Sequence, residues 1–149
     1  MTSSTTLSVD CGGGGIKASV LDAEGAIISR AVRTATPYPL PPATLVETIA
    51  SLAGRLPTAD RVTVGMPGMI RHGVVIATPH YITRDGPRSK ILPELVEAWA
   101  RFNMARAVGE RLGLPALVLN DAEVAGAGVV TGRGLTKRSE ERRVGKECR

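Results

Sequence analysis

Four consecutive glycines, Gly12 to Gly15, sit inside the run Asp10-Cys11-Gly12-Gly13-Gly14-Gly15-Ile16-Lys17, between an acid and a lysine. Short apolar runs flank it, Leu7-Ser8-Val9 upstream and Ile16 to Leu21 downstream, and the turn Asp22-Ala23-Glu24-Gly25 comes next. The pattern predicts strand, tight glycine turn, strand, turn and a third strand over Ala26 to Val32, a meander of antiparallel hairpins.

That context separates this run from two familiar phosphate loops. A Walker loop ends in Gly-Lys-Ser/Thr and opens a helix, whereas Lys17 follows Ile16 and precedes Ala18. A dinucleotide fingerprint also opens a helix, and Lys17 occupies its third glycine position. What remains is a glycine-rich hairpin whose backbone N–H groups can face an anion, because the main chain approaches closely where no Cβ intervenes. Asp10 at the strand end would stand beside the phosphates and could hold Mg²⁺ directly or through water. Lys17 offers a cation. The competing interpretation is an ordinary hairpin with a capping Asp.

The remaining composition narrows the class. With 149 residues the chain has the length of one domain. No apolar run approaches the roughly 20 residues of a membrane span. The polar start Met-Thr-Ser-Ser-Thr-Thr lacks a signal-peptide pattern, so a cytoplasmic location and no membrane partner are expected. Cys11 and Cys148 make neither a disulfide framework nor, with His72 and His80, a zinc cluster. The net charge of +5 is concentrated in Leu135 to Arg149, which hold six Lys/Arg and three Glu. Without them 13 basic residues face 11 acidic ones, and no basic stripe with interleaved aromatics remains, which argues against nucleic acid.

Further along, Thr36 to Pro42 is proline-dense and predicts an extended connector. Pro42 can open a helix, with Leu45, Ile49, Leu52 and Leu56 on one face and Pro57 as its stop. Arg61 to Val64 predicts a buried strand ending in Gly65-Met66-Pro67-Gly68, and Met69 to Ala77 a second hairpin turning at Arg71-His72-Gly73. Residues 78–90 predict a loop, of a length that is often functional. The stripe Leu95, Trp99, Phe102, Ala105, Val108 and Leu112 predicts helix, interrupted near Asn103, which could cap a second segment. Ala116 to Leu119 predicts another buried strand, leading into Asn120-Asp121 and a small-residue helix from Ala122 to about Val130. A meander followed by helix-then-strand units predicts an α/β domain, a mixed sheet with flanking helices in the ribonuclease-H-like arrangement of actin-type ATPases.

Asn120-Asp121 stands where a strand's carboxyl end meets a helix, the usual ligand position in α/β sheets. Both are also ordinary N-caps, worth about 1 kcal/mol. Phosphoryl transfer needs alignment and electrostatic help more than covalent chemistry. A carboxylate that accepts the proton of an attacking hydroxyl fits Asp121, and a helix N-terminus would keep it ionised. Asn120 can donate to and accept from a sugar hydroxyl.

These motifs together resemble the ROK sugar kinases, especially the polyphosphate/ATP glucokinase branch, from about Leu7 to Gly134. Asp10 to Lys17 resembles the family's D-x-G-G-T-x-x-K phosphate loop, Val64 to Gly68 with Gly73 its G-x-P-G…G segment, and Leu119 to Ala122 its N-D-A motif. The resemblance implies Asp121 as catalytic base and Asn120, Pro67 and Gly68 as sugar contacts, with His80 in the sugar segment. It places Asp10, Gly12, Gly13, Gly14 and Lys17 near the phosphates, with Mg²⁺ at Asp10. It further implies ATP or polyphosphate as donor, a hexose of the glucose type as acceptor, and a homodimer in the full-length protein.

Three departures stand out. Gly14 replaces the family's Thr, and Ala77-Thr78-Pro79-His80-Tyr81 stands where the family supplies an Asn-containing sugar segment. The family's second lobe, with its second phosphate loop and zinc-type Cys cluster, does not follow the N-D-A helix. The expectation is therefore the N-terminal lobe of a two-lobe kinase over residues 1–134, inactive alone, and a charged, non-native read-through tail over 135–149. The alternative within the family is a non-catalytic, sugar-sensing relative of the transcriptional-repressor type. Those carry a winged-helix segment ahead of the kinase-like domain, whereas here the phosphate hairpin starts within ten residues of Met1. A third possibility is a fragment that merely folds.

Overall fold

The computed structural model describes residues 4–121; the expected helix from Ala122 and the charged tail lie outside the described residues. The elements are β1 (Thr6–Cys11), β2 (Gly15–Leu21), β3 (Val32–Ala35), α1 (Pro42–Ala53), β4 (Arg61–Met66), β5 (Met69–Arg71), β6 (Val74–Ala77), α2 (Pro93–Trp99), α3 (Met104–Leu112) and β7 (Ala116–Asn120). The main sheet runs β3-β2-β1-β4-β7, antiparallel within the meander and parallel from β1 through β4 to β7. This is the expected mixed sheet of the ribonuclease-H-like, actin-type arrangement. β5 and β6 form a separate hairpin.

Strand alternation sorts the faces. Leu7, Val9 and Cys11 in β1, Ile16, Ala18 and Val20 in β2, and Val62, Val64 and Met66 in β4 are buried in one cluster. Into the same cluster α1 places Leu45, Ile49 and Leu52, and α3 places Val108. Each of the buried Val, Leu, Ile and Met side chains contributes roughly 1.5–3 kcal/mol by leaving water. Thr6, Ser8 and Asp10 point the other way, as period-two geometry requires.

Local signals account for the element ends. Pro42 opens α1, which ends at Ala53 with Gly54 as its cap, so Leu56 lies past the helix. Asn103 Oδ1 accepts from the Arg106 N–H at 3.0 Å and starts α3, and Gly113, at φ 67°, closes it in the left-handed conformation. The β5–β6 turn puts both His72 (φ 52°) and Gly73 (φ 81°) at positive φ, the requirement of a two-residue type I′ turn.

The third strand differs from expectation. It occupies Val32–Ala35 rather than Ala26 to Val32. Ala18 faces Val32, yet the Ile28 N–H donates to the Val20 carbonyl, so the return strand carries two more residues than β2 over this stretch. The Ser29 hydroxyl fills the gap by accepting from the Val20 N–H at 2.8 Å. A side chain thus takes a ladder position from the backbone, and the apolar pair Ile27-Ile28 is left 65% and 53% exposed.

Candidate functional site

The glycine run forms the β1–β2 turn. The Gly12 N–H donates to the Gly15 carbonyl at 2.8 Å, closing it. Its carbonyls are held from behind. Gly12 O accepts from Thr36 Oγ1 at 2.9 Å and from Tyr81 OH at 2.9 Å, and Gly13 O accepts from Tyr38 OH at 2.7 Å. Gly14 O accepts from the Thr36 N–H at 3.3 Å. The N–H groups of Gly13 and Gly14 have no partner among the described residues. Two unpaired donors in a turn without side chains are a geometry that can face an anion.

The residues singled out in the sequence gather around this turn. Asp10 and Asp121 lie at the carboxyl ends of the parallel strands β1 and β7, with the Gly65 end of β4 between them. Two strand spacings separate them by roughly 10 Å laterally. Both are exposed. Lys17 faces Asp10 across the β1–β2 ladder, is exposed, and has Arg33 as its partner on β3. The Arg33 guanidinium lies over Gly15, where a Cβ would meet Nη2 at 3.1 Å. His80, placed by the resemblance in the sugar segment, sits beside Gly13, its Nδ1 3.9 Å from where a Cβ would be. Pro87 covers the same glycine, its Cγ 3.0 Å from where a Cβ would be.

The Met66-Pro67-Gly68 turn is fixed from two sides. Thr78 Oγ1 donates to the Pro67 carbonyl at 3.1 Å, and the Asn120 side-chain amide donates to the Gly68 carbonyl. Gly68 has φ 111°, and a Cβ there would stand 2.1 Å from the Ala77 carbonyl oxygen, so only glycine fits. Asn120 thereby ties the end of β7 to the segment after β4 and carries Asp121 with it.

Electrostatics mark the same spot as crowded with negative charge. Burial pushes the Cys11 thiol well above its ordinary range, and the carboxylates of Asp10 and Asp121 push it further. Burial does the same to the Tyr81 phenol, again with Asp10 and Asp121 contributing. Both carboxylates thus act on the buried groups directly beneath the glycine turn. Lys17 and Arg33, in register with Asp10 across β2 and β3, bring positive charge to the same face of the sheet.

Among the described residues no three His, Cys, Asp or Glu side chains gather into a metal cage. Mg²⁺ in phosphoryl-transfer sites uses one or two carboxylates with phosphate oxygens and waters. Asp10, exposed beside the side-chain-free Gly65, fits that mode.

A model of the ROK family matches residues 6–137. The chain belongs to the ROK family. It is 28% identical over 122 residues to the N-acetylmannosamine kinase of Escherichia coli O157:H7, covering 81% of this chain and 37% of that protein. Its fold is similar to the inorganic polyphosphate/ATP-glucomannokinase of Arthrobacter sp. strain KM (TM-score 0.68, 27% identity, 88% of this chain and 51% of that one). It is also similar to a ROK family glucokinase of Streptomyces griseus solved with glucose and AMPPNP (TM-score 0.63, 28% identity, 82% of this chain and 35% of that one). The ROK chain described here thus spans about half or less of the length of these relatives.

Several residues of this ROK site escape a sequence-based reading. Thr36 and Tyr38 lie in a stretch that reads as a proline-rich connector, Tyr81 and Pro87 in an unpatterned loop, and Arg33 in a strand expected elsewhere. One signal was available. The chain has only two tyrosines, and both donate to the glycine turn.

Proposed function

We propose that this chain carries the donor-binding hairpin and the catalytic base of a hexose kinase. In this reading a phosphoryl group passes from ATP or polyphosphate to a hydroxyl of a glucose-type hexose. The observation that carries it is that the unpaired Gly13 and Gly14 N–H groups share one edge of the sheet with Asp10 and Asp121, at the carboxyl ends of the parallel strands β1 and β7 on either side of β4.

Each residue then has a role in the chemistry. Asp121 accepts the proton of the attacking hydroxyl as the oxygen–phosphorus bond forms, and the leaving phosphate departs toward the glycine cradle. The two N–H groups, Lys17 and Arg33 stabilise charge on the donor phosphates. Asp10 would hold Mg²⁺, which when bound neutralises phosphate charge. Pro67, Gly68 and Asn120 shape the sugar side. His80 lies beside Gly13, and in this reading its imidazole would border the sugar where it meets the donor.

The same reading makes residues 1–134 one lobe of a two-lobe enzyme with a separate charged tail, cytoplasmic and homodimeric as a whole protein. Among the described residues no helix is long and apolar enough to cross a membrane.

The test is a coupled assay over a hexose panel with ATP and with polyphosphate, on a protein extended to the length of its relatives. Asp121→Asn should lower kcat by about 10²–10⁴-fold and leave hexose affinity nearly unchanged, as loss of a general base does. An unchanged kcat would return Asp121 to a helix-capping role. The 149-residue chain by itself is expected to give negligible turnover, because donor phosphates held on one side only are not clamped for transfer.

A further inference from the structure

We propose that Tyr38 and Tyr81 are positioning residues for the donor hairpin, their hydroxyls orienting its peptide planes so that the N–H groups of Gly13 and Gly14 face an anionic phosphate chain. This rests on the kinase reading of the hairpin. In a planar trans peptide the carbonyl of one residue and the N–H of the next point in opposite directions. Holding the Gly12 carbonyl inward through Tyr81 OH and Thr36 Oγ1 therefore turns the Gly13 N–H outward. Holding the Gly13 carbonyl through Tyr38 OH does the same for the Gly14 N–H.

Four successive glycines need such a device. Without Cβ atoms the turn has no intrinsic preference for one peptide orientation, and a flipped plane would present a carbonyl oxygen to the phosphate. The orienting groups are themselves fixed. Tyr81 is fully buried and packs on Trp99 at a centroid distance of 5.8 Å, and Trp99 Nε1 donates to the Leu40 carbonyl at 2.8 Å. Tyr38 meets Tyr81 in a tilted ring contact at a centroid distance of 6.4 Å and has the Gly86 backbone against its ring. With Phe102 on Trp99 at 5.9 Å, all four aromatic residues of the chain form one run of ring contacts from the core to the hairpin. Burial also holds both phenols above their ordinary range, so each stays a proton donor.

The two tyrosines differ in a way an experiment can read. Gly12 O keeps Thr36 if Tyr81 loses its hydroxyl, whereas Gly13 O has Tyr38 alone among the described residues. The ¹⁵N-labelled chain is titrated with tripolyphosphate while the Gly13 and Gly14 amide resonances are followed. Both should shift saturably in the unaltered chain. Tyr38→Phe keeps the ring and should weaken binding about tenfold, the worth of a hydrogen-bonded donor near charge, with most of the Gly14 response lost. Tyr81→Phe should give a smaller loss, seen mainly at Gly13. Thermal midpoints verify that each variant folds, and either variant alone supplies the comparison. Folded variants that titrate like the unaltered chain would overturn the proposal and leave the kinase reading standing. No saturable shift in the unaltered chain would overturn both.

Discussion

Asp10 and Lys17 are register partners across the β1–β2 hairpin, on the sheet face opposite the buried core. Side chains of directly opposed residues in an antiparallel pair lie side by side. Lys17 therefore points to the face that carries Asp10 and not into the core. Arg33, opposite Lys17 on β3, extends the same row. On the kinase reading, Lys17→Ala in a protein extended to the length of its relatives should raise the donor KM roughly tenfold, one charge-assisted contact being worth ~1.5 kcal/mol or more. Arg33→Ala should act in the same direction. Hexose KM should stay put, and steady-state kinetics with each substrate varied in turn would show it. Equal loss on both substrates would mean that the lysine supports folding instead.

Gly14 departs from the threonine that the ROK phosphate loop carries, and the structure shows room for it. A Cβ at Gly14 meets nothing within 4 Å, and its φ is not among the positive ones. Gly14→Thr should therefore raise stability by about 0.4–1 kcal/mol, chiefly by restricting the unfolded chain. A hydroxyl beside the cradle should also lower the donor KM. Thermal unfolding and donor titration check the two effects separately, and a falling midpoint would show that the turn needs glycine there after all.

Much of this fold was legible because its signals are local. The meander's glycine turn, the apolar face of α1, the Asn103 cap and the Gly113 stop each rest on residues within one or two turns of each other. The third strand departs from the periodicity because its register depends on Ser29 bonding to Val20, a contact between strands that no periodicity encodes. The site divides the same way. Asp10, the glycines and Asn120-Asp121 announce themselves by type and spacing, whereas Tyr38 and Tyr81 reach the hairpin from 25 and 69 residues away. Nothing near either tyrosine in the chain hints at its acceptor.

Gly68 is the position where substitution should cost most. Its φ of 111° and the Ala77 carbonyl 2.1 Å from a hypothetical Cβ combine backbone strain with a backbone clash that no rotamer relieves. The Asn120 bond to its carbonyl would also be displaced. Gly68→Ala should destabilise by about 3 kcal/mol or more, the range of a strained backbone with a lost buried contact. Denaturant unfolding measures this, with Gly25→Ala as a control, since Gly25 has φ 84° but open space around it. Equal losses at the two positions would assign the cost to φ alone and remove the role of the Ala77 contact.

Alkaline stability should reveal the buried groups under the hairpin. Burial, followed by Asp10 and Asp121, raises the folded-state pKa of Cys11 far above its ordinary 9.0. An acid whose pKa is raised on folding contributes its full stability below the unfolded pKa. It loses that contribution as pH rises through the window between the unfolded and folded values, because the unfolded chain releases a proton that the native state keeps. The loss should therefore begin near pH 9 and grow by ~1.4 kcal/mol per pH unit. The useful quantity is a difference between two chains that differ only at this group. The stability of the unaltered chain minus that of Cys11→Ala should be constant at neutral pH and fall steadily above about pH 9. Tyr81→Phe should give the corresponding fall from about pH 10. A difference that stays flat to about pH 10.5 would mean that the Cys11 thiol ionises as easily folded as unfolded. The hairpin's underside would then be open to water, and the tyrosine hydroxyls would have no dry core to hold them.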